Sequence, residues 1–280
     1  MRHGTLMFTS SLMETMPRAR QASTLLVTGR IIYSFAIIGL GVETIVTARH
    51  ASHVLGPRYD VIPVLPWLPA IPWLAYVVGA VWILCGAGIL VESTSRLAAG
   101  TLSAGLFLAA IVLVAPKYAV RLADISLRTV VFETLAIAAL AWLSAGPSAN
   151  LALIDHLARW IVAASLVVFG VDHFLALRFI ADLIPQWIPW HVFWVAFFGL
   201  AMIAAGLSIG LKLLDFWGAA GVGLMFGVWV ITLHLPRVLG FYGIPGAFQN
   251  PDEWSSLLIA IALWGGPWAL AAWIKQRPRM

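Results

Sequence analysis

A chain of 280 residues that is 61% apolar and only 10% charged, with a mean hydropathy of +0.94, lacks the polar side chains to wet a soluble globule, which carries about 25% charge. Most of its outer surface must therefore face lipid. The net charge of +5 comes from Lys and Arg scattered singly between apolar runs, which excludes the basic stripe of a nucleic-acid-binding protein, and the single Cys85 excludes an intrachain disulfide or a Cys-x-x-Cys redox pair.

Residues 1–28 hold Arg2, Arg18 and Arg20 without an apolar core of their own and read as a cytoplasmic tail rather than a cleaved leader. Apolar runs long enough to cross a bilayer follow near 29–47, 70–91, 96–115 and 128–145, then near 158–177, 190–211, 215–234 and 255–274. A crossing needs roughly 20 apolar residues, and lipid offers no partners to open backbone, so each run predicts a helix. The first four runs fill a unit at 29–146 and the last four a unit at 156–274, with 275–280 as a C-terminal tail. With the N-terminus inside, Lys and Arg divide 10 inside to 7 outside, which places both termini in the cytoplasm. Gly206 and Gly210, and Gly223 and Gly227, are spaced four apart on one helix face. They predict close packing within the bundle, with a dimer interface as the alternative.

The two units repeat each other. At an offset of 129, Arg30 pairs with Arg159 and Gly41-Val42-Glu43 with Gly170-Val171-Asp172. At an offset of 120, Trp67 pairs with Trp187, Pro69 with Pro189, Gly79 with Gly199, Gly86 with Gly206, Pro116 with Pro236 and Glu133 with Glu253. The polar loop TARHASHVLGPRYD holds the extra residues of the first copy. Four spans per copy make the copies parallel, so the fold expected is an all-α membrane protein of about eight transmembrane helices in two parallel four-helix repeats.

Candidate chemistry sits in the second copy. His173, His191 and His234 stand where the first has Thr44, Ile71 and Val114, all at one end of their helices. Glu253 opens the last span at that end, and Asp172, Arg237 and Trp187 share the layer. Ionisable groups at membrane depth are costly and mark function, although Trp and His at an interface also serve structure alone. Asp172 and Glu43 lie 13 residues above Arg159 and Arg30, roughly 20 Å along the axis. Their occurrence in both copies predicts a shared structural duty, accepting hydrogen bonds from a neighbouring helix. A quinone or other apolar ligand suits aromatic walls, a His or acid and access from the bilayer. A metal on His173, His191, His234 and Glu253, or a bis-histidine haem, is less favoured, since no His-x-x-x-His spacing supports it. A small-solute transporter would need ionisable groups near the span midpoints, and few are present.

The elements GVDHF at 170–174, IPQWIP at 184–189, FFGLAMIAAGLSI at 197–209 and LHLPR at 233–237 resemble the DoxX-like membrane proteins, over most of 158–274 and more faintly over 29–145. The resemblance implies a four-helix unit of the bacterial inner membrane. It further implies, for some relatives, quinone-coupled oxidation or assembly with membrane and periplasmic redox subunits. It carries no catalytic residue to this chain, and the first copy lacks the His at position 44. The reading that results is a quinone- or redox-associated membrane subunit with an outer-face site in the second unit. Its rival is a non-catalytic structural or assembly partner.

Overall fold

The computed structural model describes residues 3–54, 72–243 and 246–277. The protein is all-α, and eight of its helices are long and apolar enough to cross a membrane. They are α1 (His3–Val54), α2 (Pro72–Leu90), α3 (Glu92–Ala109), α4 (Ile125–Ser144), α5 (Ala152–Leu175), α6 (His191–Leu211), α7 (Asp215–Trp229) and α8 (Pro251–Gln276). Within α1 the stretch Ala22–Thr47 is apolar enough to cross a membrane and contains the expected run at 29–47. The Trp67-Leu68-Pro69 turn and Arg58 lie outside the described residues.

Local chemistry sets the other ends. Asp124 accepts from Leu127 N at 3.1 Å and Asn250 from Asp252 N at 3.0 Å, each satisfying a backbone donor that a helix start leaves open. Pro251 occupies the first position of α8, where its missing N–H is harmless. Helix α3 passes through a π-turn at Ala110–Val114 into a last turn at Ala115–Ala119; α7 does the same at Val230–His234 and Leu235–Val238. Pro236 has no N–H to give the Thr232 carbonyl four residues back, and the Tyr242 hydroxyl donates to that carbonyl instead.

Each spanning helix packs on the next in the chain, α8 closes the circuit onto α1, and α4 meets α8 across the middle. Helix α8 is the central post: 72% of its most apolar window is buried, against 28% for the peripheral α2 and α6. Tyr33, Ile37, Leu40, Leu140, Leu143, Leu270 and Trp273 fill the shared interior.

Small residues decide how near the helices come. A Cβ on Gly41 would run into Gly79 O and Ile83, and one on Gly170 into Gly199 O and Ile203. Gly206 takes the same place against Ala163 O that Gly86 takes against Ser34 O. Gly223 and Gly227 receive the Trp268 and Trp264 indoles of α8. Both glycine stripes are thus spent on packing inside the chain, which leaves neither for the dimer interface. The two π-turns open at Ala110 and Val230, 120 residues apart. The caps Asp124 and Asn250, however, are 126 apart, so the 120-residue register that pairs Glu133 with Glu253 fails in the last helix of each half. Glu133 stands nine residues past its cap and Glu253 three past its own.

At the α1–α8 crossing, Gly29 faces the backbone of Gly265 and Ala269, and Gly265 faces that of Tyr33 and Gly29. Gly265→Val is expected to force these backbones apart and cost about 3 kcal/mol. Gly105→Ala, on an α3 face with nothing within 4 Å, is expected to be neutral or stabilising. Unfolding in mixed micelles compares the two.

Candidate functional site

Because the helices alternate in direction, the end of α5, the start of α6, the end of α7 and the start of α8 share one end of the bundle. The residues expected there as one layer fall into separate bonded groups.

Asp172, 5% exposed, accepts from Arg128 Nη2 and, at 2.8 Å, from Thr129 Oγ1, both on the first turns of α4. Glu43, at the matching end of α1, accepts from Ser255 Oγ on the first turns of α8. The acid that ends the first helix of each half therefore binds the start of the last helix of the other half. This is the structural duty that the paired positions predict, and it commits the Asp172 carboxylate to the helix contact.

His173 lies on α5 with Nδ1 2.8 Å from its own helix's Phe169 carbonyl, beside Gly199 of α6. His191 opens α6 with Nε2 3.2 Å from the Pro185 carbonyl. A carbonyl only accepts, so each ring donates through the named nitrogen. Trp187 is 65% exposed and Trp190, at φ 59°, is 76% exposed. That is the placement of interfacial belt residues rather than of pocket walls, so Trp187 is set apart from the other candidates.

The third group is the densest. Arg237 Nε donates to Glu253 Oε2 at 2.8 Å and Nη2 to Oε1 at 2.5 Å, a two-point pair that ties the last turn after α7 to the start of α8. His234, the last residue of the π-turn, feels the charges of both and has no hydrogen-bond partner among the described residues. One helix face away, Trp229 packs on Phe198 with centroids 4.9 Å apart, and Phe198 stacks on Trp194 at 5.8 Å. Among the described residues no three His, Cys, Asp or Glu side chains stand close enough to hold a metal ion. The ligand set His173, His191, His234 and Glu253 is therefore not assembled, because each histidine sits in its own surroundings.

Two further acids, neither among the site candidates expected from sequence, stand out. Glu133 on α4 lies nine residues past the Asp124 cap, roughly 14 Å along the axis, without a hydrogen-bond or ion-pair partner among the described residues. An unpaired carboxyl at that depth is a functional candidate by its cost alone. Its signal was present: VVFETLAIAAL places one acid inside an apolar run. Asp155, at the other end, is 1% exposed and accepts from Trp142 Nε1 at 2.7 Å, Trp273 Nε1 at 3.2 Å and Ser148 N at 3.2 Å, with Arg277 Nη2 at 3.7 Å. Around it, Arg96 donates to Gly146 O at 2.5 Å and Arg30 to Ser144 O at 3.0 Å.

No family model, curated protein or solved structure matches the chain.

Proposed function

We propose that this multi-helix membrane protein is a redox-associated subunit of the bacterial inner membrane, and that its second four-helix unit receives a quinone-type ligand beside His234. The observation that carries the reading is the imidazole of His234, without a hydrogen-bond partner among the described residues, at the end of a π-turn near the Arg237–Glu253 pair, when His173 and His191 are each bonded to a carbonyl. Single π-turns inside α-helices concentrate at functional sites, where they re-aim a side chain. The aromatic run Trp194, Phe198 and Trp229 supplies flat walls nearby. The matched glycine contacts and π-turns support a parallel duplication, and the DoxX-like elements of the second unit favour the redox setting.

A bound quinone would supply carrier chemistry for electrons and protons. His234 would donate to its carbonyl and move a proton there, while Arg237, fixed by Glu253, would keep positive charge beside the developing negative oxygen. His234→Ala is expected to abolish quinone-dependent oxidation in membranes, with His191→Ala near wild type. Turnover unchanged in His234→Ala would overturn the reading.

A second reading, an assembly partner without chemistry, draws support from the use of Asp172, Arg237 and Glu253 in helix-to-helix bonds. It is favoured if the protein co-purifies with stoichiometric membrane partners and His234→Ala leaves both that complex and its activity intact.

A further inference from the structure

At the end of the bundle opposite His234, the first turns of α5, the α6–α7 turn and the end of α8 converge on a cationic cluster. Arg277 Nη1 is 2.9 Å from His156 Nε2, and its guanidinium lies over the Trp273 ring at 3.8 Å. A guanidinium cannot accept, so His156 is the acceptor there. Arg159 is only 3% exposed; its Nη1 donates to the Ile209 carbonyl at 2.8 Å, and its buried Nε has no partner among the described residues. Three residues past Ile209, Lys212 stands exposed in a left-handed turn at φ 60°. Lys212, Arg159 and Arg277 all act electrostatically on His156. The neighbouring carboxylates are Asp155, engaged by two indoles, a backbone amide and, at 3.7 Å, Arg277 itself, and Asp215, which accepts from Phe216 N at 3.0 Å, so two acids face the three cations. Positive charge and a spare N–H remain.

The flank of this cluster faces lipid. Leu153 is 72% exposed, Leu157 52% and Trp160 50%, at a spacing that puts all three on one face of α5. Trp160 lies beneath Arg159, centroid 5.5 Å from the guanidinium carbon, and against Gly210. An anion recognised here meets cations on one side and an apolar strip on the other. A phosphate carrying acyl chains satisfies both, whereas free phosphate uses only the first.

We propose that His156, Arg159, Lys212 and Arg277 bind the phosphate of an anionic phospholipid whose acyl chains lie along Leu153, Leu157 and Trp160. The site is independent of His234 and of any redox role.

Native mass spectrometry of the purified protein, loaded with phosphatidylglycerol or phosphatidylcholine, tests it. Wild type is expected to retain phosphatidylglycerol preferentially. Lys212→Gln is expected to lower that retention about fivefold and the Lys212→Gln/Arg277→Gln pair further, with Lys117→Gln at the other end without effect. Equal retention of both lipids by wild type, or unchanged retention in the double variant, would overturn the proposal. Displacement of phosphatidylglycerol by millimolar inorganic phosphate would overturn the lipid assignment in favour of a soluble anion, and persistence supports the lipid. If Arg277→Gln fails to fold, Lys212→Gln with His156→Gln decides the matter, since Lys212 is exposed and, among the described residues, His156 makes its side-chain bonds to Arg277 alone.

Discussion

Asp155→Ala is expected to lower the unfolding free energy by about 3–5 kcal/mol, the range for removing one partner from a buried charged network. The carboxylate gathers Trp142 from α4, Trp273 from α8, the Ser148 amide from the link between halves, and Arg277 beyond α8. Hydrogen bonds to a charged acceptor contribute about 1.5–3 kcal/mol each, and their loss strands two indole N–H groups and an amide. Arg277 would lose its counter-ion while still lying over Trp273. Asp155→Asn keeps an oxygen for one or two donors but not the charge, so it is expected to fall between Ala and wild type. Titration with denaturing detergent, followed by Trp fluorescence, orders the three. An Ala variant as stable as wild type would show that the indoles find other acceptors.

What was legible in the sequence follows from what lipid permits. The apolar runs had to be helices, and all eight appear where they were read, with ends displaced where a cap or a polar turn of helix carries no hydropathy signal. Asp124 and Asn250 are such caps, each starting its helix several residues before the apolar run. The duty of Glu43 and Asp172 was legible because the same Gly-Val-acid element occurs twice. Their partners were not, since Ser255 lies 212 residues from Glu43 and Arg128 lies 44 from Asp172, and only the closure of α8 onto α1 and of α5 onto α4 brings them together. The three histidines illustrate the converse. A shared end of the bundle does not fix direction around it, and two of the rings turn to nearby carbonyls. Asp155 was invisible for the same reason, its indole donors lying 13 and 118 residues away.

The second large effect is expected at Arg128 and Asp172. Their side chains are 20% and 7% exposed, and Arg128 Nε has no partner among the described residues, so the guanidinium depends on Asp172 for compensation. Asp172→Ala should cost about 3–5 kcal/mol by leaving a desolvated cation, and Arg128→Met nearly as much by leaving a carboxylate with Thr129 alone. The double variant Arg128→Met/Asp172→Leu should recover most of the loss, because two apolar side chains at a lipid-bounded contact remove the charge and its desolvation together. The coupling in this cycle separates the ion pair from simple packing. Glu43→Gln provides the contrast: Ser255 asks only for an acceptor, which an amide oxygen still offers, so a loss of about 1 kcal/mol is expected. Equal losses for Asp172→Ala and Glu43→Gln would mean that the two contacts hold the halves by hydrogen bonding alone, and that the Arg128 charge is already met by solvent or lipid headgroups.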